Sequence, residues 1–160
     1  MLDGAGMTAI DEYRRILKEL IEDNDIKKVL EVGVEKGIST KVFCDAGCDV
    51  LGVDVEDLGF RNENLLFAKG DIADYFDTLA IDYFDLIYLD AFYTYERLEN
   101  DVPEFWKSLK VGGLLVFNEY IDFANHRNGE VRKFVHRWAN ENMRPFKVYP
   151  LRNGQAVFIK

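Results

Sequence analysis

Five short constellations bring together residues that could do chemistry. The first is Glu31-Val32-Gly33-Val34-Glu35-Lys36-Gly37-Ile38-Ser39-Thr40. Glycines at a strand-to-helix turn let the backbone approach a ligand closely. The helix beyond them offers unpaired N–H groups to an anion, and Ser39 and Thr40 add hydroxyl donors. Ser39 equally suits a helix cap. The spacing departs from two phosphate-binding patterns. A dinucleotide fingerprint needs a middle glycine, where Glu35 would repel a pyrophosphate. A phosphate loop needs a lysine after its last glycine, and Ile38 follows Gly37. The turn therefore predicts a ligand without a diphosphate.

The second constellation is Asp54, at the end of Val50-Leu51-Gly52-Val53. It falls roughly 20 residues after the glycine turn, the separation at which a carboxylate can accept from a ribose diol. Glu56 and Asp57 are nearby substitutes. The third is Gly70-Asp71-Ile72. There Asp71 could accept from the exocyclic amine of an adenine, cap the following helix, or do both. The fourth is Asp90, closing Phe84-Asp85-Leu86-Ile87-Tyr88-Leu89 and so aimed into the crevice where open α/β sheets bind ligands. The fifth is Asn118-Glu119-Tyr120. Asp90, Asn118 and Glu119 are oxygen donors suited to a hard cation such as Mg²⁺.

All five sit at the carboxyl ends of predicted strands, so the elements decide whether they meet. Ile10, Tyr13, Ile16, Leu17, Leu20 and Ile21 recur at helical spacing after a loose leader, Met1–Met7, and a Thr8/Asp11 capping box. Strands are predicted at 28–34, 49–55, 65–68, 84–89, 114–118, 146–151 and 156–159. Helices are predicted at 39–46, stopped by Gly47, and at 72–79, 95–109 and 130–142. Pro103 should kink the third of these or restart it near Asp101. Lys110-Val111-Gly112-Gly113 reads as a turn. Arg152-Asn153-Gly154 reads as a hairpin that makes the last strands antiparallel. Alternating strand and helix predicts one α/β domain over 1–160: a doubly wound, mostly parallel seven-stranded sheet with an antiparallel C-terminal strand.

Composition narrows the partners. With 160 residues, 48% of them hydrophobic, the chain can bury one sizeable core. A net charge of −9 repels phosphate backbones, so no nucleic acid is expected and a neutral or cationic small molecule suits better. The basic run from Arg127 to Arg137 reads as the solvated face of a helix. No stretch reaches the roughly 20 apolar residues of a membrane span, and no apolar signal segment opens the chain, so the expected location is the cytoplasm. Cys44 and Cys48 are too few for a disulfide framework or a metal site and read as small core residues.

Together the constellations resemble the class I S-adenosylmethionine-dependent methyltransferases, Rossmann-like in fold, over residues 28–160. Asp90, Tyr95, Asp101, Trp106, Leu109 and Gly112-Gly113 are similar to a small-molecule O-methyltransferase branch that includes macrocin-type sugar methyltransferases. The resemblance implies that Glu31, Gly33 and Gly37 line the methionine end of the cofactor, with Ser39 and Thr40 beside them. It implies that Asp54 holds the ribose, that Asp71 and Ile72 flank the adenine, and that Asp90 faces the methionine amine, a metal or the acceptor. That branch carries a histidine shortly after the strand-four aspartate; here the run is Asp90-Ala91-Phe92-Tyr93-Thr94-Tyr95. Its fifth strand ends His-Asp or Asp-Asp; here it ends Asn118-Glu119. The short N-terminal segment leaves the acceptor site open or completed by a second subunit, a homodimer.

The implied function is methyl transfer to a small-molecule acceptor, on oxygen. The base would be Asp90, Glu119 or His126, His136 being placed on a helix. Tyr93, Tyr95, Tyr120 and Phe123 could wall the acceptor or the sulfonium. Two rivals stand: a non-catalytic scaffold that keeps the cofactor pocket, and a nucleotide-dependent oxidoreductase, which the missing middle glycine disfavours.

Overall fold

A computed structural model of the protein describes residues 9–121, 129–149 and 154–160. The leader, Thr8, Phe123, His126 and the Arg152-Asn153 turn lie outside the described residues. Seven strands form one sheet: β1 (Lys28–Val32), β2 (Asp49–Asp54), β3 (Leu65–Lys69), β4 (Phe84–Leu89), β5 (Leu109–Asn118), β6 (Lys147–Tyr149) and β7 (Gln155–Ile159). Their order is β3-β2-β1-β4-β5-β7-β6. The first five run parallel, and β7 pairs antiparallel with both β5 and β6. The expected α/β architecture is the one found.

Each face of the sheet carries its own core. Helices α1 (Ala9–Asp23) and α2 (Ile38–Asp45) cover one face, where Leu17, Phe43, Leu86 and Tyr88 are sealed from solvent. Helices α3 (Tyr95–Ser108) and α4 (Glu130–Glu141) and a 3₁₀ helix, Ile72–Thr78, cover the other, over Leu30, Ile87, Phe105 and Phe158. Central strands buried on both sides need apolar residues at successive positions. Val29 and Leu30 on β1, and Leu86 through Leu89 on β4, meet that need.

Two local features differ from the sequence expectation, and two others sharpen it. The helix predicted at 72–79 is present as a 3₁₀ helix, Ile72–Thr78. Helix α3 passes Pro103 without ending, so no restart occurs near Asp101. Lys110–Gly113 is no separate turn: it lies within β5, where the pairing slips from Phe84↔Leu109 to Leu86↔Leu114, and Gly112 takes the positive φ of 81° that such an irregularity requires. The β2–β3 connection, 55–64, where no helix is predicted, forms none. Both cysteines are free and buried, and burial pushes the Cys44 thiol up to about 11. No described helix is long and apolar enough to cross a membrane.

Candidate functional site

The carboxyl edge of the parallel strands carries two clefts. The first, about 670 Å³, is lined by Tyr13, Val34, Glu35, Lys36, Ile38, Ser39, Asp90, Asn118 and Glu119. The second, about 490 Å³, takes Gly33, Asp54, Val55, Asp71, Ile72, Phe92, Tyr93 and Arg97 among its walls. They adjoin along consecutive residues, Gly33 to Val34 and Asp90 to Ala91. One side is rich in charge and the other is mainly apolar.

The glycine turn is shaped by the protein's own packing. A Cβ on Gly33 would lie 2.4 Å from the carbonyl oxygen of Asp90, so a bare backbone is needed where the tips of β1 and β4 converge. A Cβ on Gly37 would lie 2.3 Å from the Phe60 ring, and its φ is +76°. Gly33 still lines the second cleft, whereas Gly37 lines neither. Asp54 fixes this turn from β2: Oδ2 accepts from the backbone N–H groups of Val34 (2.8 Å) and Glu35 (2.9 Å), and Oδ1 accepts from Glu56 (3.0 Å). Asp57 instead pairs with Arg61, which holds its carboxyl down at about 2.

Glu31 is fully buried. Thr40 Oγ1 donates to its Oε2 at 2.6 Å, and Ser39 Oγ donates to Oε1. The two hydroxyls expected to face a ligand are thus committed to this carboxylate, although Ser39 also borders the first cleft. Burial raises the Glu31 carboxyl to about 8 against the lowering effect of its two donors.

Asp71 caps the 3₁₀ helix by accepting from Ala73 N–H at 2.9 Å. It also receives both terminal nitrogens of Arg97, which hold its carboxyl down at about 2. Arg97 donates through Nε to buried Asp101. Asp90 accepts from the Asn118 amide nitrogen at 2.5 Å, while the Asn118 carbonyl accepts from Gln155 at 3.0 Å. So arranged, Asp90, Asn118 and Glu119 present two carboxylates and an amide NH₂, a donor set that does not fit Mg²⁺. Among the described residues no group of three or more His, Cys, Asp or Glu could hold a metal. The expected metal site is therefore not supported.

Glu119 borders the first cleft with φ +60°, a left-handed conformation uncommon outside glycine. The expected aromatic wall is dispersed. Tyr95 packs on Phe134 and accepts from Arg137, and the Tyr120 hydroxyl bonds His136 Nε2 at 2.7 Å. Tyr93 reaches the second cleft, with its hydroxyl buried and lacking a partner among the described residues. Phe92 beside it is 66% exposed. Sequence reasoning gave no role to Tyr13, Lys36 or Arg97. Only Arg97 carried a local signal, its i, i+4 spacing to Asp101.

Residues 30–120 match a family model described as a methyltransferase domain. No curated protein matches the chain. Among solved structures, the fold is similar to a Staphylococcus aureus protein provisionally described as a caffeoyl-CoA O-methyltransferase (20% identity, TM-score 0.71, 93% of this chain and 83% of that one). It is also similar to the SAH-bound Podospora anserina methyltransferase PaMTH1 (13%, 0.68, 92% and 77%), and to cofactor-bound Rv0187 from MTB (16%, 0.72, 97% and 81%).

Proposed function

This chain belongs to the family of methyltransferase domains, and on that premise we propose that it transfers a methyl group from S-adenosylmethionine to an oxygen of a small-molecule acceptor. One observation carries the reading: a charged cleft and an apolar cleft adjoin across the tips of β1 and β4. The donor has the same division, with a zwitterionic amino-acid tail at one end and an adenosine at the other.

The residues present fit that ligand. Val55, Ile72 and Phe92 offer apolar surface to an adenine. A carboxylate has about four lone-pair sites, and Asp54 spends three on backbone N–H groups, so Oδ1 keeps capacity for a ribose hydroxyl. Asp71 supports the adenine side, with Arg97 locking its orientation. Asp90 and Glu119 suit the ammonium of the tail, and Lys36 suits its carboxylate.

When bound, the cofactor supplies an electrophilic methyl group on a sulfonium. The chain's own residues then align the acceptor and remove its proton. Asp90 and Glu119 are the carboxylates at the cleft able to take that proton. Asp90 is steadied by the Asn118 amide, and no step runs through a metal. A macrocin-type sugar is one acceptor class to screen. The family match sets the oxidoreductase reading aside.

Calorimetric titration of S-adenosylhomocysteine, with and without Mg²⁺, tests the cofactor site. Micromolar binding should be insensitive to Mg²⁺ and weakened at least about tenfold in Asp54→Ala, the equivalent of one hydrogen bond to a charged acceptor together with loosening of the turn. A folded wild-type protein that binds nothing would overturn the proposal.

A further inference from the structure

A row of polar side chains runs sideways from the charged cleft across three neighbouring strands. Leu89 of β4 pairs with Phe117 of β5, so the next positions, Asp90 and Asn118, stand side by side. Asn118 pairs in register with Gln155, the first residue of β7. Alternate residues of a strand share a face. Tyr88, Val116 and Val157 belong to the core beneath α1 and α2, so Asp90, Asn118 and Gln155, each two positions away, project toward that same side.

The row has a direction. Asn118 Nδ2 donates to Asp90 Oδ1 at 2.5 Å, and Gln155 Nε2 donates to Asn118 Oδ1 at 3.0 Å. An ionised carboxylate only accepts, so the Asn118 NH₂ must face Asp90. Its carbonyl then faces Gln155, which must answer with its own NH₂. The far end of Gln155 bears the consequence: Oε1 is buried and has no hydrogen-bond partner among the described residues.

Folding alone does not account for Gln155. It is 0% exposed and is followed by Ala156, Val157 and Phe158, all buried. An apolar residue in its place would spare the cost of the stranded carbonyl. The row instead leads to the first cleft, which Asp90 and Asn118 line and Gln155 does not.

We propose that Gln155 is a positioning residue: by holding the Asn118 carbonyl it keeps the Asn118 NH₂ on Asp90, and so fixes the Asp90 carboxylate for the ammonium of the donor's amino-acid tail in the first cleft. Asn118 is only partly buried, so without Gln155 its amide can turn to water and release Asp90. A carboxylate offers about four lone-pair sites and the Asn118 bond takes one, so Asp90 can serve the ammonium alongside its other contacts. The inference rests on the S-adenosylmethionine reading above and adds to it a residue that acts without touching the ligand.

The test compares two probes by calorimetry. S-adenosylhomocysteine carries the tail; 5′-deoxy-5′-methylthioadenosine carries the same adenosine and lacks it. Gln155→Met should weaken S-adenosylhomocysteine about fivefold and leave methylthioadenosine within about twofold. Gln155→Leu removes the same donor with a different shape and should do likewise; it stands in should Gln155→Met fail to fold. Asp90→Asn should weaken S-adenosylhomocysteine at least about tenfold, and adding Gln155→Met to it should cost less than about twofold more. Equal losses for both probes would mean a purely structural glutamine and would overturn the proposal, as would no loss for either or failure of both variants to fold. Losses that simply multiply in the double variant would also overturn it, because Gln155 would then act independently of Asp90. So would a wild-type protein that binds methylthioadenosine at least as tightly as S-adenosylhomocysteine. A wild-type protein that binds neither probe defeats the cofactor reading itself, which the wild-type arm reveals before any variant is made.

Discussion

Replacing Glu31 with Gln should raise stability near neutral pH and flatten its dependence on pH. The buried carboxyl titrates at about 8 instead of its ordinary 4.5. Below 4.5 folded and unfolded chains both hold the proton, and the group contributes no pH dependence. Between 4.5 and 8 the folded chain keeps a proton that the unfolded chain has released, so stability falls as pH rises. The limiting slope is about 1.4 kcal/mol per pH unit, or about 5 kcal/mol across the window. The effect of the Ser39 and Thr40 donors is already contained in the value of about 8, and local relaxation softens the penalty, so about half the limit is expected. For a chain of this length 1 kcal/mol corresponds to about 3 °C in Tm, which makes the expected effect about 7 °C. Gln has the same shape and no charge, and its NH₂ can donate to the lone pairs of either hydroxyl. Thermal melts of both proteins from pH 4.5 to 8.5 should give curves that coincide at the acid end and diverge upward for the variant. Parallel curves across that range would refute the argument that burial keeps Glu31 protonated.

Two further substitutions probe the packing around the site. Gly37→Ala must place a methyl against the Phe60 ring at a φ of +76°, at a cost of about 1–3 kcal/mol in chemical denaturation. Adding Phe60→Ala should return the steric part and leave about 1 kcal/mol of backbone cost, and an unchanged Gly37→Ala midpoint would refute the contact. Arg97→Ala strands the carboxylate of Asp101, only 3% exposed, and should cost about 2–3 kcal/mol, the lower part of the range for a broken buried pair because Arg97 itself is one-third exposed. Asp101→Asn in that background should recover part of the loss, and additive losses would count against the pairing.

Local pattern revealed the elements where one physical requirement dominated. β4 was legible to the residue because Leu86–Leu89 must be apolar to be buried on both faces. The strand-tip aspartates 54, 71 and 90 were legible because parallel strands align their carboxyl ends along one edge. Partnership was not legible where it depends on distant chain. Ser39 and Thr40 look like ligand donors until β1 places Glu31 beneath them. Gly37 looks like a ligand approach until Phe60, 23 positions later, fills the space. Tyr13 belongs to an apolar helical stripe, and nothing within α1 announces a hydroxyl partner 75 residues away. Lys110–Gly113 carries the residues of a turn, yet tertiary pairing keeps it within a strand.

The helix-free connection between β2 and β3 has a consequence for motion. β3 pairs with β2 alone and ends the sheet. None of its five residues is fully buried, and Leu66 is 70% exposed. An edge strand so thinly covered opens at a small fraction of the free energy needed to unfold the whole domain. Gly70 and Asp71, which wall the second cleft, continue directly from its last residue. That wall therefore stands on an edge of the sheet whose amides exchange readily with solvent. A ligand bridging Asp54 and Asp71 would tie β3 to β2 from above, and its arrival would register most strongly as slowed exchange along residues 65–69.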